Sequence, residues 1–598
     1  MAIACGMLAA TSCTDYIDYN TVPEAIDPAA DKTLWENISA NDNLSDFASV
    51  LQRVGYDKVL NTPGAYTVWA PINGSFDMDS LNQVSDAKVE KEFLRNVIAS
   101  YTHRENDLND TIVYMLNGKL LKFSNKNTQA LSFDGQSILP NSINPAVFNY
   151  PSVNGLLYNV AVPAAFRYNG YEYISKAADI ANSMATYVKK YETIILDEAS
   201  SIKGDIIDGV QHYDDSVVIV TNTLIEDNLR SQINNEDSTY TVLIPTDEAW
   251  EEAYKRISSY YKYIPKIAYQ DLQSTAVGTN KGTTGTIMKA DLGKVETTLS
   301  SAPAGSEFST AESYWTDSIT KRWITNNLIF SETNGKYNSK LITGMSFAEN
   351  DTLYSTTRNY LTNPTLLDEA TIERIKLSNG HARIINRLPF TPEDTYAPVI
   401  RTSNVGRIVT ATGSGYTYER IHKVNLDPKV CVLEEGYPYL TYVKADIPSA
   451  SNFAAELDFY LNNVLSTTYD IYAVIVPARV EDPTTPDSVC KPYTLYFDIN
   501  YTDASNTQIT GRFDGDTIQV GTAKVKKVNP FLVGDLKVDT VKLGRITFPI
   551  CYAGTEAKPN IKVMHSVNSF LSSYKKKYEQ VLRVANIILE PVAMEEDE

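Results

Sequence analysis

At 598 residues the chain exceeds one ordinary hydrophobic core, so two to four domains are expected. Hydrophobic residues make up 43% and charged residues 21%, a globular composition that excludes wholesale disorder. A net charge of −20 argues against nucleic acid as a partner, because phosphate binding needs clustered Lys and Arg.

The first twelve residues are apolar and small, and Leu8-Ala9-Ala10-Thr11-Ser12 leads into Cys13. This segment resembles a bacterial lipobox, although it lacks the basic flank of a full signal. The resemblance implies that Cys13 is lipidated and that acyl chains, at about 0.8 kcal/mol per buried CH₂, anchor the chain. A Gram-negative outer-membrane lipoprotein exposed at the cell surface is the expected setting. The alternative is a frayed hydrophobic N-terminus. Residues 14–32, with Pro23 and Pro28, read as a polar tether. No later run of about 18 apolar residues offers a spanning helix.

From Leu34-Trp35 onward an amphipathic stretch begins, with Phe47, Val50, Leu51 and Val54 at helical spacing. Residues 66–76 read Tyr-Thr-Val-Trp-Ala-Pro-Ile-Asn-Gly-Ser-Phe, and residues 240–250 read Tyr-Thr-Val-Leu-Ile-Pro-Thr-Asp-Glu-Ala-Trp, an ungapped offset of 174. Each is an apolar strand stopped by proline. A polar cap, Asn73 or Asp247, follows, and then an anchoring ring, Phe76 or Trp250. Residues 89–101 predict a helix ending in Tyr101-Thr102-His103, and 171–191 a long helix before the second copy. A second pattern closes each copy: Asn154-Gly155-Leu156-Leu157-Tyr158-Asn159-Val160, and Asn379-Gly380-His381-Ala382-Arg383-Ile384-Ile385. The Asn-Gly step favours a tight turn with positive φ, with a strand after it.

These paired patterns resemble the opening and closing signatures of the fasciclin domain. The resemblance covers roughly residues 30–395 and implies two α+β wedges, at 33–170 and 171–395, joined to non-catalytic adhesion or binding. It also places His103 near the family's tyrosine-histidine site, where we expect a satisfied structural histidine in preference to a ligand contact. The two patterns are 88 residues apart in the first copy (66 to 154) and 139 in the second (240 to 379). The 51 extra residues are expected as an insertion near 260–317.

From residue 390 the chain changes character, and Phe390-Thr391-Pro392-Glu393-Asp394 and Pro398 mark a linker. The remainder, 396–598, shows strand patterning at 439–447, 456–461, 469–476, 493–501, 538–548 and 580–590, with Asp, Asn, Gly and Pro between them. Many short strands without alternating helices predict a β-sandwich, and the pattern resembles the jelly roll of carbohydrate-binding modules. The fold class is thus α+β multidomain: two fasciclin-like wedges, then an all-β, jelly-roll-like sandwich.

Little in the chain speaks for catalysis. Five histidines are scattered without metal spacing, and no nucleophile elbow, phosphate loop or dinucleotide fingerprint appears. A glycosidase carboxylate pair needs no fixed spacing and stays open as a lower alternative. Asp514-Gly515-Asp516 and Asp77-Met78-Asp79 read as turns, since neither completes a calcium loop. Cys431, Cys490 and Cys551 are expected as free thiols, Cys431 and Cys551 of them buried in strands. No catalytic residue, metal site or cofactor is assigned. Ligand contact is assigned to aromatics around the insertion, Tyr260, Tyr261, Tyr263, Trp315 and Trp323, because function concentrates on loops that rigid elements hold. The competing view is that the insertion packs the second copy onto its neighbours. By resemblance the protein is an accessory to a starch-utilisation-type (SusC/SusD-like) transporter, with a glycan or protein ligand. The alternative is an adhesin for host or neighbouring-cell surfaces.

Overall fold

The computed structural model describes residues 30–198, 202–207, 209–215, 218–262, 302, 304–403, 405–409, 417–424, 426–432, 439–446, 456–505, 507–553, 558–566 and 572–592. Cys13, the tether to residue 29, Tyr263 and most of the expected insertion lie outside them. Two compact units result. One draws on residues within 1–244, 329–345 and 373–384, the other on 245–328, 346–372 and 385–598.

The first unit is built on an eight-stranded sheet. Its strands are β1 (Tyr66–Pro71), β2 (Ile98–Ser100), β3 (Thr111–Tyr114), β4 (Leu120–Ser124), β5 (Ser132–Phe133), β6 (Gln136–Leu139), β7 (Asn149–Ser152) and β8 (Gly155–Val160). They run β2-β1-β8-β6-β5-β4-β3, with β7 also paired to β8. The central pair, β1 and β8, is parallel, and both of its faces are covered, hence the unbroken apolar runs. Alternation feeds two cores. Val68 and Ala70 point into a helix-side cluster with Leu34, Phe47, Leu51 and Leu157. Trp69 points the other way, among Phe123, Phe133 and Tyr158. Helix Leu34–Ser39 opens on a capping box between Thr33 and Glu36, and helix Ser45–Val54 buries Phe47, Val50 and Leu51 before Gly55 ends it in the left-handed region.

Strand Tyr240–Pro245 repeats the scheme. It pairs antiparallel with Ile329–Ser331, Tyr240 opposite Ser331 as Tyr66 is opposite Ser100. Its sheet runs Ile329–Ser331, Tyr240–Pro245, Gly380–Ile385, Thr371–Leu377. The closing patterns do form tight turns, but at Val153-Asn154 and Ser378-Asn379, one residue earlier than expected. Of the two closing glycines, Gly155 and Gly380, Gly380 alone has positive φ (132°). Glycine is required by close approach: a Cβ would lie 2.3 Å from the Tyr66 carbonyl oxygen at Gly155 and 2.0 Å from that of Tyr240 at Gly380.

Several predicted helices are shorter. Residues 89–101 are helical only to Leu94, and Ile98–Ser100 is the edge strand β2. The long helix at 171–191 breaks into Gly170–Lys176 and Asn182–Lys189 around a 3₁₀ turn, Ala177–Asp179. After it comes an arm that periodicity did not reveal: Glu192–Leu196 pairs with Val218–Asn222, and Ile202–Ile207 with Val210–Asp215.

In the second unit, helix Asp247–Tyr260 starts at an N-cap one residue earlier than expected, the Thr246 hydroxyl accepting from the Ala249 amide, and Trp250 is buried. Tyr254 in this helix donates to Asp317 of helix Ala311–Thr325 (3.0 Å). The expected linker is packed instead: Phe390, Tyr396 and Ala397 are buried. Two antiparallel sheets follow. One runs Thr417–Lys423, Leu440–Asp446, Leu582–Pro591, Thr468–Ile475, Asp539–Thr547. The other runs Val405–Val409, Glu456–Tyr460, Asn560–His565, Tyr493–Thr502, Gln508–Phe513, Ile518–Val520. Tyr469, Ile471, Ala473 and Ile475 of the first share one core with Tyr493, Leu495, Phe497 and Ile499 of the second. Their half-exposed neighbours alternate with them, as one-sided burial demands. Cys431 and Cys551 are buried and in no disulfide, but both lie in loops and not in strands.

Candidate functional site

The aromatics assigned to ligand contact part company. Tyr260 and Tyr261 are only 2% and 3% exposed. The Tyr260 ring meets Tyr396 edge-on at 5.2 Å, and the Tyr261 hydroxyl donates to the Tyr396 carbonyl (2.9 Å). Their backbone is tied to the two-sheet region: the Ser466 amide donates to the Tyr260 carbonyl, and the Lys262 amide to the Ser466 hydroxyl. Burial pushes the Tyr260 phenol up, helped by Glu393. Both rings therefore act as packing between helix end and sheets. Trp315 is 45% exposed, beside Tyr314 (5.3 Å, edge-on), while Trp323 is half-buried.

A groove with chemical variety lies in the first unit. Its volume is about 750 Å³, within the range of small-ligand sites. Ile112 and Leu120 supply apolar wall, Lys122, Arg167 and Lys376 cations, and Asp134 and Asp237 carboxylates. Lys119 fixes its floor. This buried ammonium holds Glu172 (2.6 Å) and Glu236 (2.7 Å) and approaches the Ser378 hydroxyl at 3.3 Å. Glu236 also accepts from the Asn169 amide group (3.1 Å), and Glu172 closes a capping box with Asn169. Burial works to raise the Glu172 carboxyl, but the Lys119 charge and hydrogen bond outweigh it and hold it below its ordinary value. Such a desolvated triad is costly to break, about 3–5 kcal/mol for loss of one partner, so the floor is rigid. Arg167 and Asp134 pair across the wall at 2.9 Å. No local pattern marks Lys119, because its partners lie 53, 117 and 259 positions away.

The signature polar residues serve the fold. The Thr67 hydroxyl donates to the Tyr101 carbonyl and accepts from the His103 amide. The His103 ring reaches the Ser100 carbonyl (3.2 Å) beside Trp69, and burial pushes its imidazole below the ordinary value. In the second copy the Thr241 hydroxyl donates to Glu332 (2.9 Å), which also meets His381 at 2.7 Å. Asn73 caps at a distance, accepting from the Asp46 amide in helix Ser45–Val54 and not opening its own helix. Asp77 caps the helix Met78–Asn82, and Asp514 accepts from the Asp516 and Thr517 amides in a turn. Among the described residues no cluster of three His, Cys, Asp or Glu side chains is placed to hold a metal, and no helix is long and apolar enough to cross a membrane.

No curated protein matches the chain. Among solved structures, the chain is similar to a FAS1 domain pair from the insect cell adhesion molecule fasciclin I, at 11% identity and TM-score 0.20, over 60% of this chain and 99% of that one. It is also similar to the family 32 CBM from C. perfringens NanJ in complex with galactose (12% identity, TM-score 0.14, 29% of this chain and 93% of that one). The Podospora anserina GH26-CBM35 beta-(1,4)-mannanase aligns at 11% identity and TM-score 0.15, over 31% of this chain and 29% of that one. Residues 42–161, from just after helix Leu34–Ser39 to just past the end of β8, match the Fasciclin domain family.

Proposed function

We propose that this chain is a non-catalytic binding protein, anchored through Cys13 at the outer membrane and facing outward, in which both copies are fasciclin-type wedges and the region 396–598 is a jelly-roll-like sandwich. The observation that carries the reading is the Fasciclin domain at residues 42–161, a family associated with adhesion and binding. The groove beside it supports a ligand seat: a rigid ionic floor, an apolar wall at Ile112 and Leu120, and cations at Lys122 and Lys376. A glycan or peptide with carboxylates suits that lining, because its charge meets Lys122 and Lys376 while its apolar faces lie on the wall. In this reading the protein captures nutrient ligands beside a starch-utilisation-type transporter. Adhesion to host or neighbouring cells is the second reading, favoured by the same domain.

The test is a co-purification from native membranes with Cys13 intact, alongside assays of whole-cell adhesion. Recovery of a transporter barrel in stoichiometric amount supports capture. Adhesion without such a partner supports the second reading, and release of reducing sugar from any glycan by the purified chain sinks both.

A further inference from the structure

The second copy carries an arm, described over residues 192–198, 202–207, 209–215 and 218–222, between helix Asn182–Lys189 and the short helix Leu224–Asn228. In the first copy only Gly55 separates the corresponding helix Ser45–Val54 from Tyr56–Val59. The arm is apolar where a surface ribbon is normally polar. Ile194, Ile195, Val218 and Ile219 on one ladder, and Ile206, Ile207 and Val210 on the other, are each 49–69% exposed. Register places Ile195 opposite Ile219 on one face and Ile194 opposite Val220 on the other, so both faces are apolar. Both ladders are two-stranded among the described residues, which leaves each strand one edge without a strand partner. Isolated ribbons are marginal in water, and contiguous exposed aliphatics mark contact surfaces.

Charge decides the occupant. Residues 192–222 hold seven carboxylates (two Glu, five Asp) against one cation, Lys203, a net of −6. A second copy would bring −6 against −6 within a chain of net −20, and an anionic membrane surface would be repelled as well. We propose that the arm is a docking edge for another protein, taking up an extended, β-branched segment flanked by Lys or Arg. Main-chain hydrogen bonds along the open edge supply affinity, apolar side chains cover both faces of the new sheet, and the basic flanks meet the arm's carboxylates.

The test uses the full chain and three fluorescent peptides: Lys-Lys-Val-Ile-Val-Thr-Ile-Lys-Lys, the same core with Glu flanks, and the Lys-flanked form with a central proline. The Lys-flanked peptide should bind, weaken as salt rises, and bind about tenfold less to the double variant Ile194→Thr/Ile219→Thr, which keeps strand propensity while removing apolar surface. The Glu-flanked and proline peptides should not bind, and the variant should melt as the wild type does. The proposal is overturned if the Lys-flanked peptide fails to bind, if the Glu-flanked one binds equally, or if the variant binds at full strength. It is equally overturned if the variant melts lower, which would make the arm a packing element. Sedimentation showing a dimer that the variant abolishes would assign the arm to a second copy, and adsorption to anionic vesicles through the same residues would assign it to a membrane.

Discussion

Replacing Asn154 with alanine removes one side chain that ties three segments together. Asn154 is buried at the turn before β8; its Oδ1 accepts from the Leu34 amide (2.8 Å), and its Nδ2 donates to the Leu60 and Thr62 carbonyls (2.8 and 2.9 Å). Alanine leaves one N–H and two carbonyls without those partners. At roughly 1–1.5 kcal/mol for each bond lost in a dry setting, the cost is about 3–4 kcal/mol. Asn379 is its twin: Oδ1 accepts from the Gly170 amide (2.9 Å), and Nδ2 donates to the Ile233 and Asn235 carbonyls (2.8 and 2.9 Å). Asn379→Ala should therefore cost the same within about 1 kcal/mol. Asn154→Asp is more diagnostic. It keeps the acceptor but turns the donor into an oxygen facing two carbonyls, so the folded state favours the protonated acid and its pKa rises above the unfolded value. A group with a raised folded pKa loses stability as pH climbs from about 4, so this variant should be firmest in acid. Native-state hydrogen exchange of the β1 and β8 amides reads the local opening free energy. Exchange protection unchanged within tenfold in Asn154→Ala, or a large loss in one twin only, would refute the shared bracing.

Trp69 lies fully buried, stacked on Phe133 at 4.1 Å between Phe123 and Tyr158, so Trp69→Ala should cost about 3–5 kcal/mol; easy quenching of that indole in the wild type would contradict its place in the core. Asp470 is held at about 2 by its hydrogen bond to Arg545, then by Lys542, against a usual value of 3.8. Its depressed folded value gives stability above the usual carboxylate pKa that is lost as pH falls through about 2; Asp470→Asn should flatten the melting-temperature profile across that window, and an unchanged profile would count against the pair. Cys13→Ala in a chain with its full signal should release the protein from membranes, and retention without acyl label on the wild type would remove the anchor.

Much of the β-structure was legible. All six strand segments expected after residue 439 form, within about two residues, because one-sided burial writes alternation into the sequence. The paired signatures also predicted β1, its twin and the strands that close each copy, since a parallel strand buried on both faces must read as a continuous apolar run. Helical spacing overstates helix length where apolar residues continue past the helix: Ile98 fits the helical pattern of 89–101 but belongs to β2, and Val97 to the bend before it. Helical periodicity hides the arm, although it carries the strongest hairpin cue available, Asp208-Gly209 between Ile206-Ile207 and Val210. The groove was not legible at all. Lys119 looks like any surface lysine until folding brings Glu172 and Glu236 to it, and no local pattern encodes pairings across such separations. Tyr260 and Tyr261 show the opposite error, because tyrosines beside a loop suggest a contact surface, whereas these two are buried under Tyr396 and Ser466.

The most direct measurement is equilibrium binding of the purified chain to a glycan and peptide array, set against the variant Ala165→Trp. Ala165 is exposed and lines the groove, so the indole fills the seat without removing any ion pair. The account predicts that the wild type retains a defined set of carboxylate-bearing ligands, that none of them is turned over, and that Ala165→Trp loses them with its melting transition unchanged. Undiminished binding by the variant, or new reducing ends on any retained glycan, would contradict it.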